Sequence, residues 1–232
     1  MGSRKLKKKI LELLSGDDFE KHLESICRLP GRQSVNPLFS FFYNADELIR
    51  WRAVTAMGAV VSSLADQDME SARVVMRRLI WNLNDESGGI GWGSPEAMGE
   101  IMARHRRLAE EYHRILVSYV DENGNFIEHE MLQRGVLWGL GRFAHARPEC
   151  ANHAAPFLLP FLRSDDATHR GLAAWAAGAF QTDLTQPLLE CLIGDKNRIN
   201  IFVEMRLVER QVGQLAREAI LMQKKKLSFT TE

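Results

Sequence analysis

Apolar residues recur three and four positions apart through most of the chain, with polar residues between them. NPLFSFFY, SARVVMRRLIWNL, YHRILVSYV, NHAAPFLLPFL and QPLLECLI all carry this spacing, the period of an amphipathic helix with one buried face. A second set alternates with the first: LIRWRAVTAMGAVVSSL, GWGSPEAMGEIMARH, MLQRGVLWGLGRFAHA and THRGLAAWAAGAF, with LVERQVGQLAREAI as a fifth, weaker member. Turn chemistry separates the sets at Asn44-Ala45-Asp46, Ser164-Asp165-Asp166 and Gly194-Asp195. Strand signals are almost absent. The predicted unit is therefore a helical hairpin.

Self-similarity sets the register between the units. Met57-Gly58, Met98-Gly99, Leu140-Gly141 and Ala177-Gly178 align, with successive glycines spaced 41, 42 and 37 positions apart. A small residue at that point lets two helix backbones approach closely, which stacked hairpins require. A single hairpin cannot bury its apolar face, so neighbours must share a continuous core. The expected architecture is all-α: a right-handed α-α superhelix of about five hairpins in one domain, residues 1–232. Residues 1–30 form an amino-terminal capping hairpin closed by Pro30-Gly31, residues 35–221 form the repeats, and 222–232 form a basic, polar tail.

The second-helix pattern, with Arg50 eight residues before Gly58 and Arg170 eight before Gly178, resembles the HEAT repeat and its relatives in the phycobilin lyases. The resemblance spans roughly residues 35 to 221. It implies the fold but no activity, because this architecture serves scaffolds, chaperones and a few enzymes.

In this register the positions seven before, three before and one after each glycine share one side of the second helix. The resemblance makes them exposed, groove-lining slots. They hold Trp51, Trp92, Arg134 and Gly171; then Thr55, Glu96, Trp138 and Trp175; then Ala59, Glu100, Arg142 and Ala179. Four of the five tryptophans fall in two of these rows. Trp92, Glu96, Glu100, Glu130, Arg134, Trp138, Arg142 and Trp175 are thus the candidate binding residues, since aromatics and arginines supply most hot-spot energy. The competing expectation is that the tryptophans pack between neighbouring repeats.

The second hairpin is interrupted by NDESGGIGWGS, where other hairpins manage with a few residues. Long loops in compact repeats are often functional, which makes Asp85, Glu86, Gly88, Gly89 and Gly91 candidate loop residues. Ser94-Pro95 reads as a helix start, with Ser as cap and Pro at the first helical position. The loop itself has no Lys or Arg and no Walker spacing, and its acidic residues suit a cationic partner better than phosphate.

Composition narrows the classes further. With 45% hydrophobic and 26% charged residues the chain is globular, and AAPFLLPFL and GLAAWAAGAF fall short of the ~20 residues of a membrane helix. The basic amino terminus is followed at once by Glu12, Asp17 and Asp18 rather than by an apolar signal region. Cys27, Cys150 and Cys191 lie far apart, as thiols of a reducing compartment do. A cytoplasmic protein is expected.

Lysine plus arginine equals aspartate plus glutamate at 30 each, so no global charge draws the chain to nucleic acid. Deoxyhypusine hydroxylase, a HEAT-repeat di-iron enzyme, needs several His-Glu pairs; His129-Glu130 is the one such pair here. Asp121-Glu122-Asn123-Gly124-Asn125 lacks the later positions of a calcium loop. No metal and no cofactor are expected. The leading expectation is non-catalytic recognition of a protein or peptide segment through a concave groove. The alternative is an enzyme resembling the DNA alkylation repair glycosylases, with Trp92, Glu96, Trp138, Trp175, Arg134 and Arg142 around a lesion.

Overall fold

A computed structural model describes residues 2–84, 91–180 and 182–228. They pack as two compact units, Met1–Leu108 and Ala109–Glu232. Each is built of short helices packed on their chain neighbours.

In the first unit, α1 (Ser3–Ser15) buries Leu6, Ile10, Leu13 and Leu14 and pairs with α2 (Phe19–Cys27). Asp18 starts α2 by accepting a hydrogen bond from Lys21 N. Pro30-Gly31 begins α3 (Gly31–Phe41) rather than only closing the cap: Pro30 is its N-cap and its carbonyl accepts from Ser34 N. Asp46 caps α4 (Glu47–Gln67) through Leu48 N and Ile49 N, and Asp68 caps α5 (Met69–Leu83) through Ser71 N. Then comes α6 (Ser94–Arg104). The second helices α4 and α6 pack side by side, with α3 and α5 against them.

The second unit takes in most of α7 (Arg106–Ser118) and continues with α8 (Glu130–Ala146). The stretch expected as one helix, NHAAPFLLPFL, is broken. Pro148, Pro156 and Pro160 remove backbone donors, and the chain forms α9 (Pro148–Ala151), a 3-10 segment (Asn152–Leu158) and α10 (Leu159–Leu162). Asp166 caps α11 (Ala167–Ala177), which packs between α8 and the last helix, α13 (Val212–Ser228). Between α12 (Gln186–Leu192) and α13 lies an antiparallel hairpin, β1 (Arg198–Val203) and β2 (Arg206–Gln211), paired from Arg198↔Gln211 to Val203↔Arg206. The expected helix LVERQVGQLAREAI is thus strand over its first five residues and helix from Val212 onward. Glu204 and Met205 turn the hairpin with φ of 50° and 60°, the two-residue left-handed turn that matches strand twist.

The aligned glycines do mark close helix crossings. A Cβ on Gly58 would stand 2.4 Å from Glu100 Cγ, one on Gly141 2.5 Å from Trp175 Cζ3, and one on Gly178 3.0 Å from Ala219 Cα. The arginine eight residues before the glycine also has a repeated task. Arg50 Nη1 donates to the Asn44 carbonyl at 3.1 Å and Arg170 Nη1 to the Ser164 carbonyl at 2.8 Å, clamping the turn that precedes each second helix.

Candidate functional site

In the second unit the expected groove face is covered by the chain itself. Trp138 is 3% exposed, stacks on Trp175 with ring centroids 6.2 Å apart, and donates Nε1–H to the Phe202 carbonyl of β1 at 2.8 Å. A Cβ on Gly171 would meet Ile199 Cδ1 at 2.4 Å, so β1 lies directly on α11. Trp138 is therefore core, not an exposed binding residue. Its indole is anchored because a buried N–H needs an acceptor, and an extended strand offers one.

The other residues expected on that face are mostly engaged. Arg134 holds Asp166, the cap of α11, through Nη2–Oδ2 at 2.6 Å and Nε–Oδ2 at 3.1 Å. Arg170 holds Asp195 in the same way one repeat later. Trp175 is half-buried between Trp138 and His145, whose Nε2 is 3.0 Å from the Trp175 carbonyl. Burial holds the His145 imidazole below its ordinary value of 6.5. Arg142 is half-buried and Glu130 is exposed at the start of α8. A polar recess lies between Arg198 and Gln214, but its charged groups are already paired: Arg198 with Glu209, and Arg210 with Glu218.

The first unit keeps an open surface where α6 begins. Gly93 has φ of 76° and is the N-cap; a Cβ there would overlap the Phe42 ring at 2.6 Å. Ser94 is consequently the first helical residue rather than the cap. Its Oγ is fully enclosed and has no hydrogen-bond partner among the described residues. Trp92, beside Gly93, is 41% exposed, and Tyr43, beside Phe42, is also exposed. Arg78 of α5 lies close enough to Tyr43 to act on its hydroxyl, and Trp81, one turn further along α5, is 62% exposed. Tyr43, Trp81 and Trp92 are thus exposed aromatics of this unit. Trp81 was legible in the sequence as a residue out of phase with Val75, Met76, Leu79 and Leu83, the buried face of α5.

Glu96 projects from the first turn of α6. Part of the residue reaches the surface, but Oε2 is enclosed and without a partner among the described residues. Burial pushes the carboxyl up to about 7, and its own backbone N–H and the Arg50 guanidinium pull it back only in part. Glu100, four residues on, is a different case: it is 3% exposed and ion-paired with Arg104 Nε at 2.6 Å. The expected Glu96–Glu100 pair is therefore one carboxyl with an unpartnered oxygen and one structural ion pair. Gly91 is buried and its carbonyl accepts from Ser94 N at 3.0 Å; Asp85, Glu86, Gly88 and Gly89 lie outside the described residues. Among the described residues no group of three or more His, Cys, Asp or Glu is placed to hold a metal, and no helix is long and apolar enough to cross a membrane.

Comparison with known proteins bears on the fold. The HEAT-like repeat family matches residues 130–176, the span from α8 to α11. An uncharacterized protein of Archaeoglobus fulgidus is 33% identical over 107 residues, 46% of this chain and 52% of that protein, so the match spans about half the relative's length. A designed armadillo repeat protein in complex with the peptide (KR)4 superposes with a TM-score of 0.52 at 17% identity, covering 94% of this chain and 99% of that one. An engineered protein gives 0.54 at 15% identity, covering 97% and 98%. The chain is a mostly helical repeat protein with the fold of armadillo and HEAT arrays and one small β-hairpin, and its residues 130–176 match the HEAT-like repeat.

Proposed function

We propose that this protein is a non-catalytic recognition scaffold that binds an extended protein or peptide segment on the first unit, where α6 begins. The observation that carries the reading is the exposure of Trp92 beside a helix start fixed by Gly93 and Phe42. A large aromatic held on rigid backbone gives contact area at low entropic cost, as interface anchors do. A protein of the same fold is seen in complex with a peptide, (KR)4, which supports the kind of partner. The face of the second unit is already filled by β1, so the external segment is assigned to the first unit.

Selection of random peptides on the immobilised protein, followed by calorimetry of the winners, tests this. Trp92→Ala should leave the melting temperature unchanged and weaken binding about thirtyfold, the 2 kcal/mol of a hot spot. Unchanged affinity in that variant, or failure to select any peptide, would overturn it. The glycosylase alternative draws on the Glu96 carboxyl, whose raised pKa suits a general base. It loses one of its groove aromatics with the burial of Trp138.

A further inference from the structure

We infer that the layer formed by α1, α3 and α5 docks on an anionic lipid bilayer, with lysines of α1 meeting the headgroup charge and Trp81 entering the interface; this does not rest on the recognition reading above. The charges of the first unit are sorted between its two layers of helices, although the whole chain is neutral. Helices α1, α3 and α5 carry nine lysines and arginines against two glutamates, whereas α2, α4 and α6 carry four against six acidic residues. The charge of α1 faces outward because Leu6, Ile10, Leu13 and Leu14 take its apolar side into the core. Lys5, Lys8 and Lys9 are exposed and have no acidic partner among the described residues.

Contacts between these helices gather cations and aromatics at one end of the layer. Lys7 Nζ stands 5.5 Å over the Phe41 ring, so the amino-terminal half of α1 meets the last turn of α3. Arg32 at the start of α3 pairs with Asp68, the cap of α5, and Asn36 further along α3 accepts from Arg78; the two helices therefore run in the same direction. Arg78 also lies 4.1 Å over the Phe39 ring and acts on the Tyr43 hydroxyl just beyond α3. Trp81, one turn after Arg78 on α5, and Val74, one turn before it, are exposed, as is Tyr43. The arginines of α5 are engaged within the protein, Arg73 and Arg77 with Glu70 and Arg78 with α3. Asp46, the carboxylate nearest Tyr43 in the chain, caps α4. The cations left over are lysines, strongly hydrated point charges rather than the planar forks that read nucleic-acid phosphate. Lysines answering a diffuse negative potential, with Trp and Tyr at the same edge, match a lipid headgroup layer, where amphipathic rings settle.

Co-sedimentation of the full chain with vesicles is the test, using phosphatidylcholine alone and phosphatidylcholine with about one-third phosphatidylglycerol. The anionic vesicles should carry the protein down, the neutral ones should not, and added salt should weaken the binding. Lys5→Gln and Lys8→Gln together should weaken it about 25-fold, about fivefold for each charge. The melting temperature should hold in that variant, because Gln and Lys have nearly equal helix propensity. Brominated lipid in the anionic vesicles should quench tryptophan fluorescence, and Trp81→Phe should remove most of that quenching. Equal binding to both vesicles, undiminished affinity in the folded lysine variant, or quenching that survives Trp81→Phe would overturn the inference. Binding to oligothymidylate or polyglutamate but not to the vesicles would overturn it in favour of another polyanion.

Discussion

Replacing Glu96 by Gln should stabilise the protein at alkaline pH and do little in acid. The carboxyl rises from 4.5 to about 7 because burial disfavours its charge. A carboxyl raised in the folded state binds its proton more tightly there than in the unfolded chain. Its contribution to stability is therefore intact below 4.5 and is lost as pH rises through 7. At about 1.36 kcal/mol per pKa unit, linkage gives a penalty of about 1 kcal/mol at pH 5 and about 3 kcal/mol at pH 8. The part of the side chain that reaches the surface trims that figure. Gln has the shape of the protonated acid and carries no penalty that grows with pH. Urea unfolding followed by circular dichroism at pH 5 and pH 8, on both proteins, measures the difference. Equal stabilities at pH 8, or a gap that does not change with pH, would refute the argument that Glu96 is desolvated and unpartnered. The comparison isolates this group, because all other titrations are common to both proteins.

Other outcomes follow from the second unit. Trp138→Ala should cost about 3 to 5 kcal/mol as a large core truncation, whereas Trp138→Phe should cost about 1 to 3 through the unsatisfied Phe202 carbonyl; denaturant midpoints read both, and a neutral alanine variant would show that the indole is not core. Gly171→Val should push Ile199 off α11, raising amide exchange across 198–211 while α8 stays protected; uniform protection would count against the packing of β1 on α11. Burial lowers His145, so the unfolded chain takes up the proton first and stability falls as pH drops through 6.5, a slope that His145→Phe should reduce. Duplex DNA containing alkylated bases should release no base; release that Glu96→Gln abolishes would restore the glycosylase reading.

The sequence by itself determined that most of the chain is amphipathic helix, and it marked three points where helices cross. Amphipathic period and turn residues are local, and a glycine recurring at each crossing records a distance between backbones that any larger side chain would violate; Gly58, Gly141 and Gly178 bear this out against Glu100, Trp175 and Ala219. The sequence also isolated Glu96 and Trp92 as neighbours in slot and chain. Which slots stay open was decided by tertiary structure alone. Exposure of Trp138 depends on a strand more than sixty residues away, and nothing in the period of α8 encodes that Phe202 will offer its carbonyl there. The hairpin escaped notice because RINIFVEMRLVERQ has short apolar runs compatible with either helix or strand, and two non-glycine residues make its left-handed turn. Glu96 and Glu100 are one turn apart on the same helix, yet the fold gave one an arginine and left an oxygen of the other without a donor, because partners for a charge come from whatever packs nearby in space.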